Sequence, residues 1–312
     1  MRILLAGGSG AVGLPLAGLL RERGHSVLAI HKASKGRQRL LSAGAVPVQV
    51  DVLDRGAVLE ALKGEHFDSV IAELTSLKKP PVFHRDMVAT DRLRIEGTAN
   101  LIEAAKRCGA RRFVTQSIVL GYGFEGSGDR IVTEDDPFAP MAKGGFESHL
   151  AAMRSNEDQV LGSTELEGIA LRYGLFYGPG PAGDGLVALL RRRRLPVARP
   201  AGVRPWLYID DAVTATVAAL ERGTPGGAYN IVDDEPVSFT TLLQAIADAV
   251  GAPKPLVVPQ WTLVATPYAR SMMRGDMRVS NALAKSALGW QPSVPSFRGG
   301  VERMAAHYAS PA

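Results

Sequence analysis

Three glycines near the amino terminus have the spacing that lets a backbone turn approach a phosphate group. The segment AGGSGAVG follows the apolar run RILL and places Gly7, Gly10 and Gly13 three residues apart. Because glycine has no Cβ, the chain can turn tightly here and bring its amide groups close to a diphosphate. A helix that opens at this turn would meet that charge with its amino-terminal NH groups. The pattern predicts a dinucleotide site, with a purely structural tight turn as the alternative.

Basic residues follow the second predicted strand, where a carboxylate would select NAD. Between Glu22 and Asp51 the sequence has no acidic residue, and the strand SVLAI is followed by HKASKGR. Lys32, Lys35 and Arg37 carry the charge needed to neutralise a 2′-phosphate, so the sequence favours NADP over NAD. The alternative is that these are ordinary solvated loop cations.

The elements that would hold these residues alternate between short apolar runs and helical stretches. RILLAG, SVLAI and SVIAEL are predicted strands, with helices between them and at TANLIEAAKRCG. Strands rich in Val, Ile and Leu on both faces predict an α/β fold, with a parallel sheet between helical layers. Asp51 follows the third strand, where its carboxylate would accept a hydrogen bond from an adenine amino group or cap the next helix.

Composition narrows the class of protein. The 312 residues are 46% hydrophobic, enough for a substantial core, and the single cysteine, Cys108, excludes an internal disulfide and a multi-thiolate zinc site. Glycines and Pro15 interrupt the apolar amino terminus, so we expect a strand and loop there and no membrane anchor, with the cytoplasm as compartment. Four basic residues behind the net charge of +5 form one run, 191–194, without interleaved aromatic residues. We therefore expect a small anionic molecule as partner, and no nucleic acid.

Segments over nearly the whole chain resemble the extended branch of the short-chain dehydrogenase/reductase superfamily, the epimerase and dehydratase group. They are the glycine loop, DVLD at 51–54, GTANLIEAA at 97–105, LRYGLFYGPG at 171–180, RPWLYIDDA at 204–212, YNIVDDEPVSF at 229–239 and LGWQP at 288–292. The resemblance implies a Rossmann-type doubly wound parallel sheet that binds NAD(P), with a smaller carboxy-terminal domain that binds substrate.

The same resemblance sets the expected domains and assembly. We expect residues 1–176 plus 207–232 to form the dinucleotide-binding domain, and residues 177–206 plus 233–312 to form the substrate-binding cap. Dimers are common among proteins of this group, so a homodimer is expected by analogy.

The residues that would move a proton depart from the family pattern. The family uses a Ser or Thr after the fifth strand and a Tyr-x-x-x-Lys pair on the next helix. Setting Glu157 against the acidic residue that often follows the family's lysine by four puts His149 at the tyrosine position and Met153 at the lysine position. None of the seven tyrosines is followed four residues later by lysine. His149 is the candidate replacement as proton donor or acceptor, with packing as the alternative.

Five further side chains are candidates for contact with the substrate. Ser117, in TQSIVLGYG, resembles the family's hydroxyl residue and would polarise a carbonyl or satisfy a strand end. Tyr122 and Lys143 lie in the long polar segment before the helix and would reach the site from there. Arg204 corresponds to an arginine that nucleotide-sugar relatives place near substrate phosphates, with a salt bridge inside the cap as the alternative. Tyr173, in the LRYGLFYGPG segment, is a candidate on resemblance alone.

Three functions are open from the sequence. The first is an NADP-binding oxidoreductase or isomerase acting on a small carbonyl or hydroxyl compound, in which His149 or a loop residue manages the proton and Ser117 orients the oxygen. The second is a non-redox enzyme, a cyclase, isomerase or lyase, that keeps the cofactor as a structural part. The third is a non-catalytic dinucleotide sensor. The well-kept cofactor and cap segments favour the first.

Overall fold

Strands and helices alternate through most of the chain. A computed structural model describes residues 1–34, 36–77, 79–140 and 145–309. The strands are β1 Arg2–Ala6, β2 Ser26–His31, β3 Val46–Gln49, β4 Ser69–Ala72, β5 Arg112–Ile118, β6 Gly126–Val132, β7 Glu167–Tyr173, β8 Leu175–Tyr177, β9 Val197–Arg199, β10 Val203–Arg204, β11 Trp206–Tyr208, β12 Ala228–Ile231, β13 Val237–Ser238, β14 Val257–Pro259 and β15 Asp276–Val279. The α-helices are α1 Gly13–Glu22, α2 Gly36–Ser42, α3 Arg55–Ala61, α4 Val88–Arg92, α5 Thr98–Arg107, α6 Glu147–Leu161, α7 Asp184–Arg191, α8 Ile209–Arg222, α9 Phe239–Ala249, α10 Pro267–Arg274, α11 Ala282–Leu288 and α12 Phe297–Ala309.

Seven parallel strands form the central sheet in the order β12-β7-β5-β4-β1-β2-β3. The direction in which strands are added reverses between β1 and β4, so the loops at their carboxyl ends diverge and leave a crevice. The predicted α/β fold of Rossmann type is confirmed.

The first strand shows why the sheet is buried on both faces. Ile3 and Leu5 pack into one core cluster with α1 and α8, whereas Leu4 and Ala6 pack into another with α3 and α5. All four are completely buried. Side chains alternate between the two faces of a strand, so an uninterrupted apolar run is what a sheet between two helical layers requires.

The carboxy-terminal part has an apolar cluster of its own, in which α7, α9 and α12 pack around β8 and β11. Helix α11 instead packs on the main core, where Ala284 and Leu288 join the cluster that contains α8. The domain boundaries from the sequence stay a prediction.

The long polar segment before α6 contains a strand. Its β6 pairs in parallel with β15, and Ala139 donates its backbone NH to the carbonyl of Gly121 at 2.9 Å. Between α4 and α5 the chain continues as a π-helical turn, Leu93–Gly97, so the two helices join into one. No helix in the described part of the chain combines the length and the apolar character needed to cross a membrane.

Candidate active site

The glycine turn between β1 and α1 has no room for side chains at two of its three predicted positions. Gly7 has a φ of 81°, and a Cβ on it would collide with the backbone carbonyl of Glu73 at the end of β4. A Cβ on Gly13 would collide with the carbonyl of Gly7, which also accepts the NH of Gly10 at 2.9 Å. The turn is therefore packed against β4 and leads directly into the amino terminus of α1, as a diphosphate cradle requires.

A buried histidine occupies the end of β2, next to this turn. His31 is 2% exposed, its Nδ1 donates to the carbonyl of Ala33 at 2.9 Å, and its Nε2 has no partner among the described residues. A Cβ on Gly36, where α2 begins, would lie 2.7 Å from the Cβ of Ser9 and 3.4 Å from His31 Nδ1. The glycine turn, β2 and α2 thus meet around an imidazole where an NAD-selecting carboxylate would stand.

The residues predicted to contact the cofactor's adenosine end, Lys32 and Asp51, lie next to the glycine turn and the end of β2. Lys32 forms an ion pair with Asp51 at 2.6 Å, and Asp51 also accepts the NH of Leu53 at 3.2 Å. Partial burial raises the pKa of Asp51, but the hydrogen bonds from Lys32 and Leu53 and the nearby positive charges together outweigh it, so the net pKa is lowered. The alternative that Asp51 caps the next helix is wrong, because Asp54 caps α3 by accepting the NH of Ala57.

Arg37 and Lys35 are the other two predicted cations. Arg37 is exposed in the first turn of α2. Lys35 lies outside the residues that the structure describes, as does Lys143, the candidate substrate contact.

Glu73 is buried directly beneath the glycine turn. One of its oxygens lies 3.0 Å from the hydroxyl of Tyr173, which is also 2.6 Å from the hydroxyl of Thr216. The other oxygen, Oε2, is buried without a partner among the described residues. Burial raises the pKa of Glu73 to about 8, against the opposing hydrogen bonds of Tyr173 and Thr216. The hydroxyl of Tyr173 therefore hydrogen-bonds to Glu73, and its predicted contact with substrate stays a prediction.

Ser117 and Tyr122 belong to a polar network that joins β5, α6, β7 and β12. Ser117 donates its hydroxyl to Glu157 at 2.5 Å, and Glu157 forms an ion pair with Arg172 at 2.8 Å. Arg172 in turn donates to the hydroxyl of Tyr122 at 2.6 Å, and Tyr122 donates to Asn230 at 2.9 Å. The network satisfies both hydroxyl groups internally, so neither is drawn toward His149, and their catalytic roles stay predictions.

His149 lies at the centre of a second buried chain. Its Nδ1 donates to a carboxylate oxygen of Asp91 on α4 at 2.5 Å, and its Nε2 lies 3.0 Å from Nδ1 of His84. His149 is 1% exposed, and the two imidazole rings stack with their centroids 5.2 Å apart. Arg94 contacts the other oxygen of Asp91 at 3.3 Å. The sequence identified His149, and the structure supplies its two polar partners.

An aromatic box surrounds the two histidines. Phe146 meets His84 edge to face with ring centroids 4.5 Å apart, and Tyr268 lies 5.9 Å from His84 and 5.8 Å from His149. Phe124 packs on Phe146 and Tyr268. We call Phe124, Phe146 and Tyr268 the aromatic box. These ring contacts hold the two imidazoles in fixed positions.

Met153, at the position where the resemblance expects lysine, belongs to an apolar cluster. It is 1% exposed and packs with Met87, Leu120, Leu150 and Phe124. A lysine there would bury an unpaired ammonium group, so the surroundings of Met153 match its own chemistry and not that of a lysine.

Arg204 is completely buried and acts on backbone carbonyls. Its Nε donates to Met272 at 2.9 Å, and its Nη2 donates to Ser271 at 2.6 Å and to Phe124 at 2.8 Å. Burial lowers its pKa to about 10, with Tyr268 and Asp276 opposing. No carboxylate in the described ranges pairs with it, so the alternative of a salt bridge inside the cap is wrong. Its Nη1 is buried and unpartnered among these residues, which leaves the predicted anion contact as a prediction.

Sequence reasoning missed the acidic and imidazole partners. His84 and Asp91 both follow β4, and His31 ends β2, so all three lie at the carboxyl edge of the sheet where ligands bind. The tendency of ligands to bind at the carboxyl ends of parallel strands could have pointed to these residues. The separations of 65 and 58 residues from His149 gave no pattern along the chain to connect them.

Known proteins match the chain over most of its length. The profile of the NAD dependent epimerase/dehydratase family matches residues 3–232. A 3-diazoavenalumate denitrifying reductase of a Streptomyces species is 38% identical over 97% of this chain and 100% of that protein. The UDP-glucose 4-epimerase of Mycolicibacterium smegmatis is 28% identical over 96% of each.

Solved structures agree with the fold. The Thermus thermophilus UDP-glucose 4-epimerase in complex with NAD is 26% identical, covers both chains fully and has a TM-score of 0.79. The Thermotoga maritima UDP-glucose 4-epimerase with UDP-glucose has a TM-score of 0.80 at 22% identity, over 99% of each chain. A nicotinamide dinucleotide cofactor is thereby supported. The chain belongs to the NAD-dependent epimerase/dehydratase family, within the extended short-chain dehydrogenase/reductases, and is an NAD(P)-dependent enzyme.

Proposed function

We propose that this enzyme is an NADP-dependent reductase that replaces the nitrogen of a small diazo-substituted organic acid by hydrogen. The denitrifying reductase that aligns with the whole chain has a name that describes this reaction type. This name supports narrowing the predicted class, an NADP-linked oxidoreductase with a non-standard proton donor, to one class of substrate.

The observation that carries the proposal is the pair His149 and Met153. Reduction of a carbonyl leaves an alkoxide on the carbon that receives hydride, and a proton donor must stand beside that oxygen. Met153 is buried among apolar side chains, and His149 is enclosed between Asp91 and His84. Loss of dinitrogen leaves no alkoxide on the reacting carbon. A site without the tyrosine and lysine therefore suits this leaving group better than a carbonyl.

The residues of the glycine turn and the end of β2 support NADP as the cofactor. Gly7, Gly10 and Gly13 would hold the diphosphate at the start of α1, where a Cβ has no room at two of the three positions. His31, Lys32 and Arg37 would face the 2′-phosphate, since the end of β2 offers an imidazole where NAD enzymes place a carboxylate. When bound, the nicotinamide supplies the hydride.

Buried positive charge favours an acid as substrate. Burial raises the pKa of Tyr268 in the aromatic box to about 12, and the guanidinium groups of Arg94 and Arg204 both oppose that rise. Two cations beside aromatic faces attract a flat anion, and Arg204 Nη1 is the candidate donor to it. Ser117 and Tyr122, held in their own network, would shape the neighbouring wall.

The cellular location and the oligomeric state are also part of the proposal. A cytoplasmic location is supported by the single cysteine, Cys108, which is buried and unpaired. A homodimer is supported only by analogy, and sedimentation of the purified protein tests it.

Substrate turnover tests the function. The enzyme is mixed with NADPH and an ortho-quinone diazide carboxylate, and we expect equal loss of reduced nicotinamide and release of dinitrogen. NADH should react more slowly, and phenylglyoxylate, a keto acid of similar size, should not be reduced. Reduction of the keto acid alone would contradict the proposal. Turnover without a change of cofactor redox state would favour a redox-neutral enzyme, and cofactor-dependent association with another protein without turnover would favour a sensor.

A further inference from the structure

We infer that His84 is a catalytic proton donor of this site and that His149 and Asp91 hold it in place and resupply its proton. This role rests on the proposed function, because it concerns the proton that a neutral diazo compound needs before it can lose dinitrogen.

The three side chains form a continuous hydrogen-bonded chain with one free end. Asp91 accepts from His149 at 2.5 Å, and His149 contacts His84 at 3.0 Å. The far nitrogen of His84, Nε2, is buried and has no partner among the described residues. A carboxylate, an imidazole and a second imidazole in series are the parts of a proton relay.

The backbone fixes the turn that carries His84, and a glycine lies beside its far nitrogen. Asp86 accepts the NH groups of Val82 at 2.9 Å and Phe83 at 3.0 Å, which fixes the turn that carries His84. Gly145 has a φ of 90°, and a Cβ on it would lie 3.2 Å from His84 Nε2. Glycine at 145 therefore keeps a side chain from crowding this nitrogen.

The order of protons in the chain follows from its charged end. Asp91 can only accept, so Nδ1 of His149 carries a proton. When His149 is an imidazolium, its Nε2 donates to Nδ1 of His84, and the unpartnered Nε2 of His84 carries the proton at the end of the chain. Burial lowers the pKa of His84, and His149 lowers it further, so His84 is the neutral member.

Transfer to substrate then balances without charge on His84. The substrate oxygen of a quinone diazide takes the proton from His84 Nε2, and His84 Nδ1 takes the Nε2 proton of His149. The substrate becomes a hydroxyl-bearing diazonium ion, and the imidazolium of His149 becomes neutral. Hydride then replaces dinitrogen, so one proton and one hydride are consumed for each dinitrogen released.

Other charged groups face this chain and set its pH dependence. Arg94 contacts Asp91 at 3.3 Å from the π-helical turn, and Tyr268 of α10 lies beside both histidines. Arg204 acts on Tyr268 from β10. The cations oppose a positive charge on the chain and Asp91 favours it. Because a neutral diazo acid needs a proton, its turnover should fall as pH rises.

Two probes separate proton donation from every other role. An ortho-quinone diazide carboxylate needs a proton, whereas para-carboxybenzenediazonium is already a cation and needs none. With His84→Gln we expect kcat for the first probe to fall about 100-fold and to lose its pH dependence. Turnover of the second probe and affinity for NADPH should stay near those of the wild type. His149→Asn and Asp91→Asn should likewise slow turnover of the first probe and leave turnover of the second unchanged. His66 is exposed, so His66→Gln is the matched control and should change neither.

Nuclear magnetic resonance of the cofactor-free protein with ¹⁵N-labelled histidine tests the chain independently. We expect a far-downfield Nδ1 proton on His149 that disappears in Asp91→Asn, and ring ¹⁵N chemical shifts of His149 that change in His84→Gln. Equal losses on both probes, no loss on either, or His149 ¹⁵N shifts that are unchanged in His84→Gln would overturn the relay. If the wild type oxidises NADPH with neither probe, the proposed function is overturned. If the spectra still show that His149 and His84 are hydrogen-bonded, the failure lies in the proposed function and not in the hydrogen-bonded chain.

Discussion

Glu73 shows how burial raises the pKa of a single carboxyl group in this protein. It is 4% exposed beneath the glycine turn, and its pKa is raised to about 8. Nothing in the run SVIAEL marks this glutamate as buried, because a carboxylate at a strand end is normally solvated. His149 was accessible to sequence reasoning through its position on a helix, whereas Glu73 required the packing of Gly7 and Tyr173 against β4.

The raised pKa of Glu73 makes stability depend on pH. Between about pH 4.5 and pH 8 the folded protein keeps this proton and the unfolded chain releases it. The free energy of unfolding should therefore fall as pH rises through this window, by at most about 1.4 kcal/mol per pH unit. Glu73→Gln should remove that slope and exceed the wild type in stability near pH 8. Urea unfolding of both proteins at several pH values measures it, and parallel curves would contradict the assignment.

The glycine turn is the element on which cofactor binding depends. Its spacing predicted it from the sequence, and the neighbouring strand β4 explains why two of the positions exclude a side chain. The ion pair of Lys32 with Asp51 could not be predicted, because it joins β2 to the loop after β3 through the order of strands in the sheet.

Gly7→Ala should therefore abolish measurable NADPH binding and lower stability by roughly 2 kcal/mol or more, since a Cβ meets the carbonyl of Glu73 at a positive φ. Gly18→Ala is the matched control. It lies in α1 with open space around it, so the free energy of unfolding should rise by about 0.5–1 kcal/mol with binding unchanged. Calorimetry with NADPH measures both, and full affinity in Gly7→Ala would exclude the turn as the cofactor cradle.

The network of Ser117, Glu157 and Arg172 ties three elements together. Burial lowers the pKa of Arg172, but the hydrogen bonds and charges of Glu157 and Tyr122 together outweigh it, so the net pKa is raised. Removing one partner leaves the other as an unpaired buried charge. Arg172→Met should lower the free energy of unfolding by about 3–5 kcal/mol, and adding Glu157→Gln should restore part of it.

An exposed ion pair is the control for that network. Lys106 contacts Glu165 at 2.5 Å on the surface, so Lys106→Met should change stability by less than about 1 kcal/mol. Thermal or urea denaturation distinguishes the two cases. Equal small effects at both sites would mean that Glu157 and Arg172 are solvated in solution.

At the scale of the whole molecule, the repeat of strands and helices was sufficient to predict the central sheet. The strands are apolar on both faces, and that pattern has one common solution. The hydrogen-bonded chain of Asp91, His149 and His84 was not predictable, since its members come from α4, α6 and the segment between β4 and α4. They meet only because the order of strands brings the carboxyl ends of β4 and β5 side by side.

Transfer of a labelled hydrogen tests the proposed reaction most directly. NADPH carrying deuterium at its transferable position is incubated with the enzyme and an ortho-quinone diazide carboxylate, and the product is examined by mass spectrometry and NMR. We expect one deuterium on the carbon that bore the diazo group, with one dinitrogen released for each NADPH consumed. A product without deuterium at that carbon, or unchanged NADPH after the substrate has reacted, would contradict hydride transfer by this protein.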